Sequence, residues 1–116
     1  MGKQAGRFIT LTILTAVVLG LNVWAEDSGA DLYKSKCVVC HASDGSASTA
    51  LGKSLKAVDL RTPEVQKKSS AALAEFIAAG KGNMPPFRGV LNDDEIRSVV
   101  TYVRSFGAKK PAAKKN

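Results

Sequence analysis

The sequence is poor in the residues that build disulfide scaffolds, multi-ligand metal sites and sheets. It has two cysteines and one histidine in 116 residues, which excludes a disulfide-rich scaffold. No segment shows the alternation of apolar and polar residues that is typical of a half-buried strand. No internal repeat is present, and the length suits one domain. Because 45% of the residues are apolar, the chain is not disordered throughout. The sequence therefore predicts a single all-α domain.

Basic residues exceed acidic ones, giving a net charge of +7, but the excess lies at the two ends of the chain. Four lysines fall within the last eight residues, and two further basic residues lie before position 8. Nucleic-acid binding needs a basic stripe on folded elements, so we expect no nucleic-acid partner. Residues 108–116 are predicted to be a disordered, solvated tail that has weak attraction to an acidic partner or an anionic membrane surface.

The N-terminus has the layout of a secretory signal. Lys3 and Arg7 precede an uncharged stretch from Phe8 to Ala25, which ends in small residues at Val23 and Ala25. This pattern predicts a signal peptide over residues 1–25, removed on export, and a domain over residues 26–107. The alternative is an uncleaved anchor, because the stretch would reach about 27 Å as a helix, just short of a bilayer core. Both place the domain outside the cytoplasm, and cleavage predicts the periplasm.

Three helices and one short helical turn are predicted after this segment. The last helix has the clearest signals: Asn92 and Glu95 form a capping box, with Leu91 and Ile96 beside it as a hydrophobic staple. Apolar residues then recur at helical spacing, and Arg104 is placed to favour the negative C-terminal end. The predicted bounds are Ser28 or Gly29 to Cys40, Ser70 to Ala79, and Asn92 to Gly107, with a turn capped by Thr62 at Pro63 and loops at Ser43–Ser54 and Gly80–Val90.

One pentapeptide carries specific chemistry. Cys37, Cys40 and His41 form C-x-x-C-H, the attachment sequence for a c-type haem. Two thiols at this spacing reach both vinyl groups of one porphyrin edge and form thioethers, and the adjacent imidazole binds the iron. A redox C-x-x-C pair would favour a βαβ context, and a zinc site would need a fourth ligand. The motif therefore predicts one haem c per chain, which also fills the thin core of so small a domain.

The second axial ligand follows by elimination. His41 is the only histidine, and Met84 is the only methionine left once Met1 departs with the signal. Pro85 favours an extended backbone at Met84, and Pro86 stiffens the loop behind it. The alternative is a methionine that fills an apolar gap. We therefore predict metal ligation by His41 and Met84.

These residues together resemble class I cytochrome c, the small monohaem bacterial type. The resemblance implies the small cytochrome c fold, in which three or more helices surround one haem. It also implies that the first and last helices cross where a glycine lets them approach against aromatic residues. A proline whose carbonyl orients the proximal histidine in many members is missing here, and the resemblance places Ala50 at that point. The matching segments are Gly29, Tyr33, Cys37–His41, Lys81–Pro85, Leu91–Ile96 and Tyr102–Val103.

The predicted ligand set indicates one-electron transfer rather than catalysis. A thioether favours ferrous iron and raises the reduction potential, and two fixed axial ligands leave no open position for a substrate. The first hypothesis is a monomeric electron carrier, not an enzyme, which resembles donors to respiratory or photosynthetic complexes. Two alternatives stay open: a haem sensor or catalytic domain in which Met84 is displaced, and a redox subunit anchored by Phe8–Ala25.

Overall fold

Six helices make up the regular structure of residues 27–108, the part of the chain that the computed structural model describes. The predicted signal at 1–25 and the tail from residue 109 onward lie outside the described residues. The described part has two isolated β-bridges and no β-strand, which confirms the all-α prediction. None of its helices is both long and apolar enough to cross a membrane. The helices are α1 (Gly29–Lys36), α2 (Val38–His41), α3 (Ala50–Ser54), α4 (Pro63–Gln66), α5 (Ser70–Ala79) and α6 (Asp93–Ala108).

Helix α1 crosses α6 at very short range. A Cβ atom on Gly29 would lie 2.1 Å from the carbonyl oxygen of Ser98, so only glycine permits this approach. Beside the crossing, the rings of Tyr33, Tyr102 and Phe106 form a triangle in which every pair of centroids is 5.2 Å apart. Offset and edge-on aromatic pairs of this kind stabilise a core. The predicted crossing of the first and last helices is confirmed.

The start of α6 confirms the predicted capping box. The backbone N–H of Glu95 donates to the Asn92 side chain at 2.9 Å, and that of Asn92 donates to the Glu95 carboxylate at 2.8 Å. Leu91 and Ile96 are both buried in the main core cluster. Val99 and Val103 join them on the same face of the helix, as the predicted apolar stripe requires.

The end of α6 differs from the prediction. The helix continues through Gly107 to Ala108 instead of stopping at the glycine. A Cβ atom on Gly107 would lie 2.6 Å from Oε1 of Gln66, so this glycine serves close packing rather than termination. Arg104 was expected to act on its own helix end, but its guanidinium donates to the carbonyl oxygens of Gln66 and Lys68. It thereby caps α4.

The first predicted helix is two helices. The break falls at Cys37, whose φ of −114° departs from helical geometry, and the helix resumes at Val38. The second part extends to His41, one residue beyond the predicted end. The bounds of α5 agree with the prediction, and Gly80 ends it at a φ of +69°.

Helix α3 lies inside a segment that the sequence predicts to be a loop. Thr49 caps it, accepting the backbone N–H of Gly52 at 2.9 Å. A Cβ atom on Gly52 would lie 2.1 Å from the carbonyl oxygen of Cys40, so α3 packs directly on α2. The next turn begins with Pro63 as predicted, but the Thr62 hydroxyl donates to the Asp59 carbonyl rather than capping the helix.

Candidate functional site

The C-x-x-C-H pentapeptide spans the break between α1 and α2. Cys37 occupies the junction, and Cys40 and His41 form the end of α2. Neither cysteine forms a disulfide, and both are half-buried. Before any attachment of a haem, burial, with a smaller contribution from the charge of Cys40, raises the pKa of the Cys37 thiol to about 11. The motif therefore presents two sulfurs and one imidazole on a single turn, at the edge of the aromatic core.

His41 is oriented by a backbone carbonyl from a distant segment. Its Nδ1 lies 3.0 Å from the carbonyl oxygen of Val58. Because a carbonyl can only accept, Nδ1 must carry the proton, and Nε2 then carries the lone pair that binds a metal. Burial lowers the pKa of His41, and the bond to Val58 partly opposes that shift. The imidazole is therefore held neutral and in a defined tautomer.

This acceptor answers a question that the family resemblance left open. The resemblance places Ala50 where many members have the proline, but Ala50 is the first residue of α3. A carbonyl at that position is aligned with the helix axis for bonding within the helix. The acceptor is Val58, in the irregular segment between α3 and α4. Nothing in the local sequence around Val58 marks it, because any residue supplies a carbonyl.

The turn after His41 is strained and held by Tyr33. Ala42 adopts φ 62° and ψ 165°. Residues other than glycine rarely adopt this backbone conformation, which costs of order 1–3 kcal/mol. The buried Tyr33 hydroxyl donates to the Ala42 carbonyl at 2.7 Å, and the N–H of Ala47 donates to the His41 carbonyl at 2.9 Å. Burial raises the pKa of Tyr33, so the hydroxyl remains a donor.

Replacing Tyr33 with phenylalanine should cost about 1–3 kcal/mol of unfolding free energy, because the buried Ala42 carbonyl loses its donor. Denaturant unfolding of the haem-loaded protein measures this. Tyr102→Phe is the matched control, since its hydroxyl takes part in none of the hydrogen bonds found within residues 27–108. Equal losses for the two variants would contradict the assigned role of the Tyr33 hydroxyl.

Met84 lies in a tightly closed loop. The backbone N–H groups of Lys81 and Met84 donate to each other's carbonyl oxygens at 3.1 and 3.0 Å, around a Gly82 with a φ of +57°. The Asn83 side chain donates to the carbonyl of Leu55 at 3.1 Å. Met84 itself is half-buried. The loop is therefore closed on itself and bonded to the segment that precedes Val58.

The loop is also packed against the end of α5. A Cβ atom on Gly80 would lie 2.6 Å from the carbonyl oxygen of Met84 and 2.7 Å from the nitrogen of Pro86. The N–H of Phe87 then donates to the Ile77 carbonyl at 3.0 Å, which satisfies an acceptor that the helix end leaves unpaired. The predicted stiffening by prolines is thus accompanied by a glycine contact that the sequence did not indicate.

The segment from Leu55 to Val58 joins the two predicted ligand regions. Its first carbonyl accepts from Asn83 beside Met84, and its last accepts from His41. The Val58 side chain is 56% exposed, an unusual state for a valine so near a half-buried histidine. Two cysteines outside any disulfide, a neutral imidazole, a thioether loop and exposed apolar side chains fit a covalently bound haem. Within residues 27–108, the other large apolar side chains left exposed are Val39, Leu51 and Val90.

Comparisons with known proteins show which family and which fold this chain resembles. Residues 25–103 match the family model described as cytochrome c oxidase, cbb3-type, subunit III. Cytochrome c6 of Picosynechococcus sp. is 34% identical over 103 residues, covering 82% of this chain and 87% of the relative. Cytochrome c6 of Leptolyngbya boryana is 37% identical over 76 residues, covering 66% and 86%. The solved structure of the KustC0563 c-type cytochrome superposes with a TM-score of 0.64 at 35% identity, covering 69% of this chain and 98% of that one.

Proposed function

This chain belongs to the cytochrome c family, and from that premise we propose that it carries electrons outside the cytoplasm through a His41/Met84-ligated haem. As a c-type cytochrome it binds one covalent haem c, which supplies a one-electron ferric–ferrous couple. The relatives that it matches are electron carriers rather than enzymes.

Cys37 and Cys40 are proposed as the thioether attachment points and His41 as the proximal ligand. The observation that carries this assignment is the 3.0 Å contact between Nδ1 of His41 and the Val58 carbonyl. It selects the tautomer in which Nε2 is the donor atom, and such a bond raises the basicity of a ligating imidazole.

Met84 is proposed as the distal ligand. Its loop is closed by two backbone hydrogen bonds and bonded to Leu55, so little conformational entropy remains to be lost when the thioether binds. A thioether ligand favours the ferrous state and raises the potential. With both axial positions taken by fixed side chains, the iron is expected to exchange electrons with little rearrangement and to exclude substrates.

Location and partners are proposed from the sequence and the relatives together. Residues 1–25 have the pattern of a secretory signal, which supports a periplasmic protein, with membrane anchoring as the alternative. The partners are proposed to be redox proteins such as respiratory or photosynthetic complexes, which the carrier would meet as a monomer in weak, transient encounters. The mass of the purified protein distinguishes the cleaved from the anchored form.

Carbon monoxide tests the carrier against a ligand-binding haem. A ferrous iron that keeps Met84 should bind the gas slowly at neutral pH, because the thioether must first leave. Stopped-flow mixing of the reduced, haem-loaded protein measures the rate. Rapid, complete binding would contradict the carrier and favour a sensor or catalytic domain with a displaceable Met84.

Gly80→Ala should detach Met84 from the iron in part of the population. The new methyl group would strike the Met84 carbonyl and the Pro86 nitrogen, so the loop must move. The weak far-red band from sulfur to ferric iron is expected to lose intensity in this variant. Gly82→Ala is the matched control, because it has a similar positive φ but no atom within 4 Å of the added carbon. Equal loss in both variants would show that backbone strain, not the contact, is responsible.

A further inference from the structure

Three charged side chains form a cluster beside the segment that orients His41. The Asp59 carboxylate accepts from Nε and Nη2 of Arg61 at 3.0 and 2.8 Å and from the Arg61 backbone N–H at 2.9 Å. Nη1 of the same guanidinium lies 3.7 Å from the Asp44 carboxylate. Arg61 therefore joins the residue that follows Val58 to the loop that follows His41.

The position of the Val58 carbonyl depends on the residues that come after it. The Val58 side chain is mostly exposed, so packing does not anchor it. Leu60 is held at both backbone groups, since its N–H donates to the Gly45 carbonyl at 2.8 Å and its carbonyl accepts from the Gln66 side chain at 2.7 Å. Asp59, between Val58 and Leu60, is held at its carbonyl by the Thr62 hydroxyl, which donates at 3.1 Å, and at its carboxylate by Arg61.

We propose that Arg61 is a positioning residue that holds the Val58 carbonyl against His41 and thereby sets the reduction potential. The inference rests on the proposed function in one respect, that His41 is an iron ligand. The hydrogen bonds and ion pairs of the Arg61 side chain are to Asp59 and Asp44, not to His41. It acts through Asp59 and the adjoining peptide, and Asp44 keeps it attached to the loop on the other side of His41.

The direction of the effect follows from the chemistry of the imidazole. A firm bond from Nδ1–H to a carbonyl increases electron donation by Nε2, which favours the ferric state and lowers the potential. Release of Arg61 should loosen the Val58 carbonyl and raise the potential. Loss of a positive charge has the opposite effect by Coulomb attraction, because it favours the more positive ferric centre and lowers the potential. The sign of the shift therefore separates positioning from charge.

The test compares Arg61→Gln with Arg97→Gln in the haem-loaded, full-length protein. Arg97 is the matched control because it also pairs with an aspartate. Its partner Asp94 lies one turn earlier on the same helix, α6, so this pair does not involve the segment that holds Val58. Redox titration gives the potential, and proton NMR gives the exchange rate of the His41 Nδ1 proton. For Arg61→Gln we expect the ferrous-to-ferric ratio at a fixed ambient potential to rise roughly threefold. The Nδ1 proton should exchange about tenfold faster or more, as local opening allows.

Arg61→Lys adds a second readout, because lysine keeps the charge but cannot form the fork with a carboxylate. It should behave more like Arg61→Gln than like the unchanged protein. A lowered potential in Arg61→Gln, or exchange rates equal to the Arg97→Gln control, would overturn the inference while leaving the proposed function intact. If the unchanged protein has no His41 signal from an iron-bound imidazole, the proposed function and the inference both fail.

Discussion

Replacing Met84 with histidine is expected to lower the reduction potential by roughly 0.2 V, a substantial part of the range that axial ligands control. Imidazole is a stronger donor to ferric iron than a thioether, and the closed Lys81–Met84 loop presents the new side chain from the same backbone position. The far-red sulfur band should disappear. Redox titration and absorption spectra of the haem-loaded variant measure both changes.

Met84→Leu is the control that removes the donor while keeping the volume. It should also lose the far-red band, but the open coordination position should then admit carbon monoxide rapidly to the ferrous iron. If Met84→His and Met84→Leu both keep the far-red band and the original potential, Met84 is not the ligand. A low potential in the histidine variant combined with rapid gas binding would show that the new imidazole does not reach the iron.

Replacing Gly29 with valine is expected to destabilise the domain by about 3 kcal/mol or more, at the upper end of the usual cost of overpacking. The added Cβ atom would lie 2.1 Å from the Ser98 carbonyl oxygen and 2.5 Å from its carbon. These are backbone atoms of α6, which cannot move aside as a flexible side chain can. The two helices must separate, and the aromatic triangle beside them loses its contacts.

Thermal unfolding of the haem-loaded protein measures this loss. For a domain of this size, 3 kcal/mol corresponds to a fall in melting temperature of roughly 12 °C or more. Ala30→Val is the matched control, because Ala30 follows Gly29 in α1 and is exposed, so it reports only the lower helix propensity of valine. A melting temperature for Gly29→Val close to that of the control would contradict the close helix crossing.

The features predicted correctly from the sequence are those that depend on residues close together in the chain. The Asn92–Glu95 capping box fixed the start of α6 because both partners lie three residues apart. The spacing of Cys37, Cys40 and His41 indicated a haem because that chemistry has one arrangement of donors. The isolation of Met84 between glycine and proline residues predicted a stiff loop, which the mutual bonds with Lys81 bear out. Its ligation to iron stays a prediction.

The features that were missed depend on contacts between segments distant in sequence. Helix α3 is only five residues long and lies in a segment rich in glycine, serine and threonine, and it forms where Gly52 packs on the Cys40 carbonyl. The acceptor for His41 is a backbone carbonyl seventeen residues away, which no side-chain pattern can identify. The sequence predicted that Arg104 acts on the C-terminal end of its own helix, because that end is its only local partner. In the folded chain the guanidinium instead lies against the unpaired carbonyl oxygens at the end of α4.

The central claim, that His41 and Met84 both bind the iron of a covalent haem, is tested most directly by absorption spectra of the protein produced with a haem-maturation system. We predict a low-spin ferric spectrum with the weak far-red sulfur-to-iron band. After reduction, we predict a low-spin ferrous spectrum. A high-spin ferric spectrum without the far-red band would remove Met84 from the iron and contradict the account of a closed, six-coordinate electron carrier.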